Sequence, residues 1–184
     1  MASKVAADFK DGLFCLVNNA GVGLDLPYQG SKAEMQVVST TLNTNFWGLK
    51  GVTEALLPHL KKGSGKIVNI SSGAAAMNME RMAESRRLSL LSAGDEDEQA
   101  MGMEGLTGLV NEFTQVYDTM AETKGEELPC LGEGLWLQSY GFSKAVLNAY
   151  TRILAKQHKD IHCYACTPGF VSTDMTQAYK GSFT

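Results

Sequence analysis

The sequence predicts an α/β fold in which a doubly wound parallel sheet of about three strands carries flanking helices and a helical insertion. Three apolar runs, at residues 12–17, 66–70 and 161–167, suit strands that are covered on both faces. Between these runs, apolar residues recur at three- and four-residue steps, which is typical of helices. This alternation predicts right-handed crossovers and a twisted parallel sheet.

The composition is that of one ordinary globular domain. The chain has 184 residues, of which 44% are hydrophobic and 20% charged, enough for a single core. Its net charge of −4 argues against nucleic acid or an anionic membrane as the main partner. We find no signal peptide and no apolar run near the ~20 residues that span a bilayer. We therefore expect a cytoplasmic protein with one domain over residues 1–184, carrying a helical insertion at about 74–138.

The four cysteines predict neither disulfides nor a metal site. They lie at positions 15, 130, 163 and 166, and without a secretory signal we expect buried thiols. Cys163 and Cys166 have the spacing of half a zinc motif, but a strand directs residues three apart to opposite faces. The sequence offers no second pair to complete a site, so we predict that no metal is bound.

The first half of the chain predicts a short helix, a strand and a long helix. Residues 1–11 have the pattern of a helix end, and the strand at 12–17 is followed by small and amide residues. Such a loop lies at the carboxyl edge of a sheet, where open α/β folds bind ligands. The helical pattern of about 31–62 contains Asn45 in its apolar stripe. This amide is either a satisfied core residue or the mark of a kinked backbone or a bound water.

Two glycines of the same long helix, Gly48 and Gly51, predict the close approach of another element. The second strand, at 66–70, ends in small polar residues. The charge clusters at 81–87 and 95–98 are interpreted as solvated.

The second half of the chain predicts two long helices and the third strand. An amphipathic helix is predicted from about residue 103 to 123. A further helix, from about 139 to 158, leads to the strand at 161–167, which is followed by a turn and a short helix.

Tyr140 and Lys144 form the pair of residues that first indicates chemistry. Residues four apart on a helix share one face, so both side chains can reach one pocket. A phenol normally ionises at a pKa of about 10, and a fixed ammonium nearby favours the ionised form. A Tyr in that setting can act as a general acid or base on an alcohol or carbonyl oxygen.

Five ordered blocks of the sequence resemble the short-chain dehydrogenase/reductase family. They are Asn18-Asn19-Ala20-Gly21, Asn45, Ile70-Ser71-Ser72, Tyr140-x-x-x-Lys144 and Pro168-Gly169-x-Val171-x-Thr173. Further details resemble the family's monomeric NADPH-dependent carbonyl reductases: the run at 44–48, the Leu57-Pro58 helix end, the insertion before Tyr140 and Thr173-Asp174-Met175. The resemblance spans about residues 9–176 and implies a partial Rossmann-like sheet.

The resemblance implies a role for each matching residue. Tyr140 would donate a proton to a carbonyl oxygen, and Lys144 would favour the ionised phenol and hold the nicotinamide ribose. Ser72 would polarise the substrate oxygen, and Asn45 would hold a water that links Lys144 to solvent. The residues implied to contact NADP(H) are Asn18, Ala20 and Gly21 on the adenosine side, Pro168, Gly169, Val171 and Thr173 at the nicotinamide, and Asn45, Tyr140 and Lys144.

The family's glycine-rich dinucleotide fingerprint is absent from the sequence. The resemblance therefore implies a truncated domain that begins at the helix before the fourth family strand and stops before the seventh. The strand at 12–17 is then expected at an exposed sheet edge, and cofactor binding is expected to be weak unless a partner chain completes the site. We expect a monomer, with self-association possible through this edge.

Three functions are weighed on these residues. The first is NADPH-dependent reduction of a ketone or aldehyde, with Tyr140 as proton donor. The alternative is a catalytically inactive reductase fragment that acts as an interaction module. A third, the epimerases and dehydratases of the extended family branch, fits poorly with the insertion before Tyr140 and with the block that begins at Pro168.

Overall fold

The computed structural model describes residues 2–28, 33–97, 99–122, 138–169, 171–173 and 175–176. The elements are, in chain order, α1 (Ala2–Asp8), β1 (Cys15–Asn18), α2 (Met35–Leu42), a π-helical segment (Asn43–Gly48), α3 (Leu49–Leu56), β2 (Gly65–Ile70), α4 (Ala74–Arg81), α5 (Glu84–Ser92), α6 (Met103–Glu122), α7 (Gln138–Gln157) and β3 (Ile161–Cys166). Single 3₁₀ turns lie at Leu26–Tyr28 and Leu57–His59.

The three described strands form a parallel sheet in the order β1-β2-β3. This confirms the predicted α/β class with a parallel sheet and flanking helices. Because parallel strands end at the same edge, the segments that follow β1, β2 and β3 all leave the sheet on one side. Tyr140 and Lys144 lie in the first two turns of α7, which precedes β3.

The core lies between one face of the sheet and the helices. Ile67 of β2 is fully buried there, and Leu16 and Cys163, opposite it on β1 and β3, pack against the same core. Phe113 of α6 stacks on Phe142 of α7 with ring centroids 4.0 Å apart. The predicted amphipathic helix at 103–123 is confirmed as α6, and its apolar stripe packs onto α7.

The other face of the sheet is open among the described residues. Val17 and Tyr164, which flank Val68 across the sheet, are 53% and 49% exposed. The prediction that these strands are covered on both faces is therefore wrong for this side. β1 has a paired neighbour on one side only within the described sheet, as the resemblance implied for an edge strand.

Two further expectations are corrected. The strand predicted at 12–17 begins at Cys15, because Gly12 turns the chain with φ of 80° and Leu13 makes only an isolated bridge to Leu60. The charge clusters are not merely solvated, since Arg86 pairs with Glu112 on α6.

The cluster at 95–98 is also tied to the fold. Asp95 pairs with Arg152, and Glu96 pairs with Lys159. Charges at residues 95 and 96 thus pair with α7 and with the segment that follows it. Residue 98 lies outside the described residues.

No described helix has the length and apolar character needed to cross a membrane. No group of His, Cys, Asp or Glu in the described ranges is placed to hold a metal ion. Cys163 is half-buried and Cys166 is exposed, whereas Cys130 lies outside the described residues. Burial raises the pKa of the Cys163 thiol to about 11.

Candidate active site

Tyr140 and Lys144 lie one helical turn apart, with the Lys144 Nζ 5.7 Å from the centroid of the Tyr140 ring. Lys144 is only 4% exposed, and its Nζ donates a hydrogen bond to the Ile70 carbonyl at 2.8 Å. Burial lowers the pKa of Lys144 to about 8, because an ammonium loses hydration inside the protein. The pair predicted from the sequence is therefore together, and its ammonium is fixed at the end of β2.

The loop after β1 passes directly over this ammonium. A Cβ at Gly21 would lie 3.3 Å from both the Lys144 Nζ and the Asn45 Oδ1. A Cβ at Gly23 would lie 3.4 Å from the Tyr140 ring. The predicted ligand loop thus borders the pair, and Gly21 leaves open a small space that a side chain would fill.

Asn45 fixes this loop from a π-helical turn. Its Oδ1 accepts a hydrogen bond from the Val22 N–H at 2.8 Å, and its Nδ2 donates to the Val22 carbonyl at 2.8 Å. The Nδ2 also donates to the Ser143 Oγ at 3.0 Å, and the Ser143 hydroxyl donates to the Tyr140 carbonyl at 2.7 Å. Wide turns of this kind often occur at functional sites. Both the kinked backbone and the satisfied amide are present, and the bound water stays a prediction.

The Asn18 side chain is directed into the protein. Its Nδ2 donates to the Asn69 Oδ1 at 2.8 Å and to the Thr53 Oγ1 at 2.9 Å. The Asn69 Nδ2 in turn donates to the Thr151 Oγ1 at 2.8 Å. This buried chain of polar side chains joins β1, β2, α3 and α7 beneath the site. The role of Asn18 in holding a cofactor stays a prediction.

Ser72 lies at the start of α4, where its Oγ accepts a hydrogen bond from the Ala74 N–H at 3.2 Å. Ala74 and Leu26 form a small buried cluster against which Tyr140 and Met175 pack. Ser72 is therefore two residues from a direct neighbour of Tyr140, and its contact with a substrate oxygen stays a prediction.

The segment after β3 is exposed at its described positions up to Thr173. Pro168, Gly169, Val171 and Thr173 lie on the surface, and Gly169 turns the chain with φ of 78°. Met175 brings the end of the segment to the cluster beside Tyr140. The implied nicotinamide contacts stay predictions, and Asp174 of the same block lies outside the described residues.

Sequence reasoning missed a buried carboxylate beside Tyr140. Asp25 is 7% exposed, and its Oδ2 accepts hydrogen bonds from the Ser139 Oγ at 2.6 Å and from the Tyr140 N–H at 3.0 Å. Ser139, at the start of the predicted helix, carried a capping signal. Asp25 carried none, because it lies in an irregular loop 115 residues from Tyr140.

The arrangement can move a proton at an exposed rim of the sheet. A half-buried phenol and a buried ammonium share one face of α7. Hydrogen bonds donated by Asn45 and Ser143, and one accepted by Asp25, fix the surroundings of the pair. Such groups suit general acid–base catalysis on an oxygen atom.

Comparisons with known proteins find similar reductases. A family model described as short chain dehydrogenase matches residues 1–84. Carbonyl reductase [NADPH] 1 of Mus musculus is 34% identical over 174 residues, which cover 89% of this chain and 55% of that protein. Salutaridine reductase of Papaver bracteatum is 34% identical over 142 residues, covering 76% of this chain and 42% of that protein. The chain thus spans about half the length of the curated relatives it matches.

Solved structures with the same architecture include two plant reductases. The structure of salutaridine reductase from Papaver somniferum has a TM-score of 0.76 at 26% identity, covering 96% of this chain and 65% of that one. The menthone neomenthol reductase from Mentha piperita has a TM-score of 0.65 at 25% identity, covering 97% of this chain and 69% of that one.

Proposed function

Because the chain belongs to the short-chain dehydrogenase/reductase family, we propose that it reduces a ketone or aldehyde to an alcohol with NADPH. The observation that carries the proposal is the position of Lys144, a buried ammonium beside the Tyr140 ring and under the Gly21 loop. A buried lysine with no acidic partner among the described residues is unfavourable for stability, so its presence at this rim is best explained by chemistry.

The residues at the rim fit a dinucleotide cofactor. The missing side chain of Gly21 leaves a cradle beside the Lys144 Nζ. This ammonium has three donor hydrogens, and among the described residues its acceptor is the Ile70 carbonyl. Ala20 is exposed next to this cradle. Lys144 and Tyr140 would hold the nicotinamide ribose, Ala20 and Gly21 with Asn18 would line the adenosine side, and the segment from Pro168 to Thr173 would cover the nicotinamide.

Each catalytic side chain has one task in the proposed reaction. The Tyr140 hydroxyl donates its proton to the carbonyl oxygen as negative charge develops there. The Lys144 ammonium stabilises the phenolate that remains. The Ser72 hydroxyl donates a hydrogen bond to the same oxygen. When bound, NADPH supplies the hydride for the carbonyl carbon.

Two similarities support the reductase proposal over other members of the family. A carbonyl reductase named for NADPH and two salutaridine reductases are among the relatives. The substrate is proposed to be a small-molecule carbonyl compound, and cytoplasmic location and a monomeric state stay predictions.

The second candidate is an inactive fragment that acts as an interaction module. The open sheet face at Val17 and Tyr164 favours this candidate, since apolar strand residues there are available to another surface. It differs from the first in requiring no cofactor.

Two measurements on the 184-residue chain test the reductase proposal. NADPH fluorescence is titrated with the protein, and NADPH oxidation is followed with a panel of ketones and aldehydes. We expect saturable binding and turnover in the wild-type chain. Tyr140→Phe should abolish turnover, since it removes the proton donor and leaves the ring packed against Leu26 and Ala74.

Tyr164→Phe is the matched control, because that hydroxyl lies on the open sheet face. It should retain wild-type turnover. Turnover that survives in Tyr140→Phe excludes Tyr140 as the acid, and absence of NADPH binding in the wild-type chain favours the inactive fragment.

A further inference from the structure

The geometry points to Asp25 as a positioning residue for Tyr140: its carboxylate holds the start of α7 so that the phenol keeps its place beside Lys144. The inference rests on the proposed function, because it concerns the side chain that would donate the proton.

Asp25 meets the unpaired N–H groups at the start of α7. The first backbone N–H groups of a helix have no partner within the helix. The Asp25 Oδ2 accepts from one of them, the Tyr140 N–H at 3.0 Å, and from the Ser139 hydroxyl at 2.6 Å. A carboxylate is favoured at this end of a helix by the helix dipole. The residue that normally performs this task precedes the helix, whereas Asp25 lies 115 positions earlier in the chain.

The burial of Asp25 indicates that the contact is specific. The carboxylate is 7% exposed, and its Oδ1 is buried with no hydrogen-bond partner among the described residues. A buried carboxylate oxygen without a partner is destabilising. A solvated or an apolar side chain at this position would avoid this loss of stability. A contribution to stability alone therefore does not explain why a carboxylate is buried here.

The contact links the proposed cofactor loop to the proposed acid. Three residues before Asp25, Val22 is held by both polar atoms of the Asn45 side chain. Asn45 also reaches α7 through the Ser143 Oγ. The loop from β1 is thus fixed to α7 at two points, Asp25 at the backbone of Tyr140 and Asn45 one turn later. Loss of the Asp25 contact would therefore loosen the first turn of α7 and displace the phenol relative to the Lys144 Nζ one turn later.

Small displacements of this kind have large effects on rate. A misplacement of about 1 Å can lower a catalytic rate by on the order of a hundredfold. The positioning role therefore predicts a loss in kcat with little change in KM, because the proposal assigns Asp25 no contact with the substrate.

The test reads the position of the Tyr140 ring directly, without turnover. The chain is labelled with fluorotyrosine, and the Tyr140 ¹⁹F resonance is assigned among the six tyrosines by its loss in Tyr140→Phe. In the otherwise wild-type chain, Lys144→Met should shift this resonance, because the ammonium lies 5.7 Å from the ring centroid. In the Asp25→Ala background this shift should be largely lost.

Two matched variants separate positioning from simple destabilisation. Asp25→Asn keeps an oxygen acceptor for both hydrogen bonds and should retain most of the shift. Ile153→Val, in the same helix and fully buried, removes about 1 kcal/mol of stability and should retain all of it. If Asp25→Ala does not fold, Ser139→Ala, which removes one of the two donors, should reduce the shift partially.

The inference is overturned if Lys144→Met still shifts the Tyr140 resonance fully in the Asp25→Ala or the Ser139→Ala background. It is also overturned if Ile153→Val loses as much of this shift as Asp25→Ala does. In the turnover assay, Asp25→Ala should lower kcat on the order of tenfold or more at nearly constant KM, and Asp25→Asn should restore it. Absence of turnover in the wild-type chain contradicts the proposed function alone, since the resonance still decides whether Asp25 positions Tyr140.

Discussion

The ammonium of Lys144 has unusually little contact with water for a lysine. It is 4% exposed and donates to one main-chain carbonyl, that of Ile70. Burial lowers the pKa of Lys144 to about 8, from an ordinary value of 10.5. Burial therefore disfavours the charged form, and in the folded protein Lys144 is mainly charged only below about pH 8.

This burial predicts a pH-dependent stability. Between pH 8 and 10.5 the unfolded chain binds a proton at Lys144 that the folded chain has released, so the free energy of unfolding rises with pH across this window. The rise amounts to about 3 kcal/mol in all, at about 1.4 kcal/mol per pKa unit. Lys144→Met should lack it and should be the more stable chain at pH 7. Urea unfolding of both proteins at several pH values measures the difference, in which other titrating groups cancel. If the free energy of unfolding changed with pH in the same way in the wild-type chain and in Lys144→Met, the prediction would be contradicted.

Single residues also show what could be predicted from the sequence and what could not. Tyr140 and Lys144 lie in one helix, and their four-residue spacing alone places them on one face. Asp25 lies in a loop without periodicity, and its partner Ser139 is 114 residues away. Contacts over such separations depend on how the elements pack, which no local pattern contains.

Helices α4 and α7 pack so closely that one glycine is required between them. A Cβ at Gly141 would lie 2.8 Å from the Asn78 Cβ and 2.9 Å from the Ala74 carbonyl oxygen. Gly141 stands next to Tyr140, so this contact also sets the distance of α4, which follows Ser72, from the phenol.

A pair of glycine substitutions tests this packing. Gly141→Ala should destabilise the protein by about 1–3 kcal/mol, because backbone on α4 would have to move. Gly108→Ala, in α6 with no atom within 4 Å of the added Cβ, should stabilise it by up to about 1 kcal/mol, because alanine favours helices. Thermal or urea unfolding of both variants gives the sign of each change in the free energy of unfolding. A neutral or stabilising effect of Gly141→Ala would refute the close contact.

The sequence predicted close approach at the wrong glycines. Gly51 has open space around an added Cβ, and at Gly48 the near atom is the Asn43 carbonyl oxygen of its own π-helical segment, 2.9 Å away. Helical positions of glycines could be read from the pattern, but the neighbouring element could not.

The long predicted helix at 31–62 is likewise divided by the π-helical turn at Asn45, which residue spacing did not indicate. Residues 31 and 32 lie outside the described part.

The whole molecule combines a covered and an uncovered sheet face. The predicted order of strands and helices was confirmed, because an apolar run or a helical spacing lies within one short stretch of the sequence. Cover on the second face was predicted from the same runs, and among the described residues it is absent at Val17 and Tyr164. An apolar run shows that a strand prefers burial, not which surface provides it.

The open face and the edge of β1 are the surfaces through which we expect any self-association of this chain to occur. Val17→Lys should reduce association at high concentration, because a lysine on an edge strand opposes strand pairing. Leu88→Lys is the matched control, since Leu88 of α5 is equally exposed at 53% but lies away from the sheet. Sedimentation velocity over a concentration series measures the association of both variants. Equal association of Val17→Lys and Leu88→Lys would contradict a role for the sheet.

Buried hydrogen bonds at and beneath the site join residues that are synthesised at different times. Asn69 reaches Thr151 over 82 residues, and Asn45 reaches Ser143 over 98. During synthesis from the N-terminus, β1 and β2 leave the ribosome long before α7, so these amides wait without their final partners. A nascent chain can therefore complete the proposed site only after α7 has been synthesised, and a chaperone that shields the early strands would act in that interval.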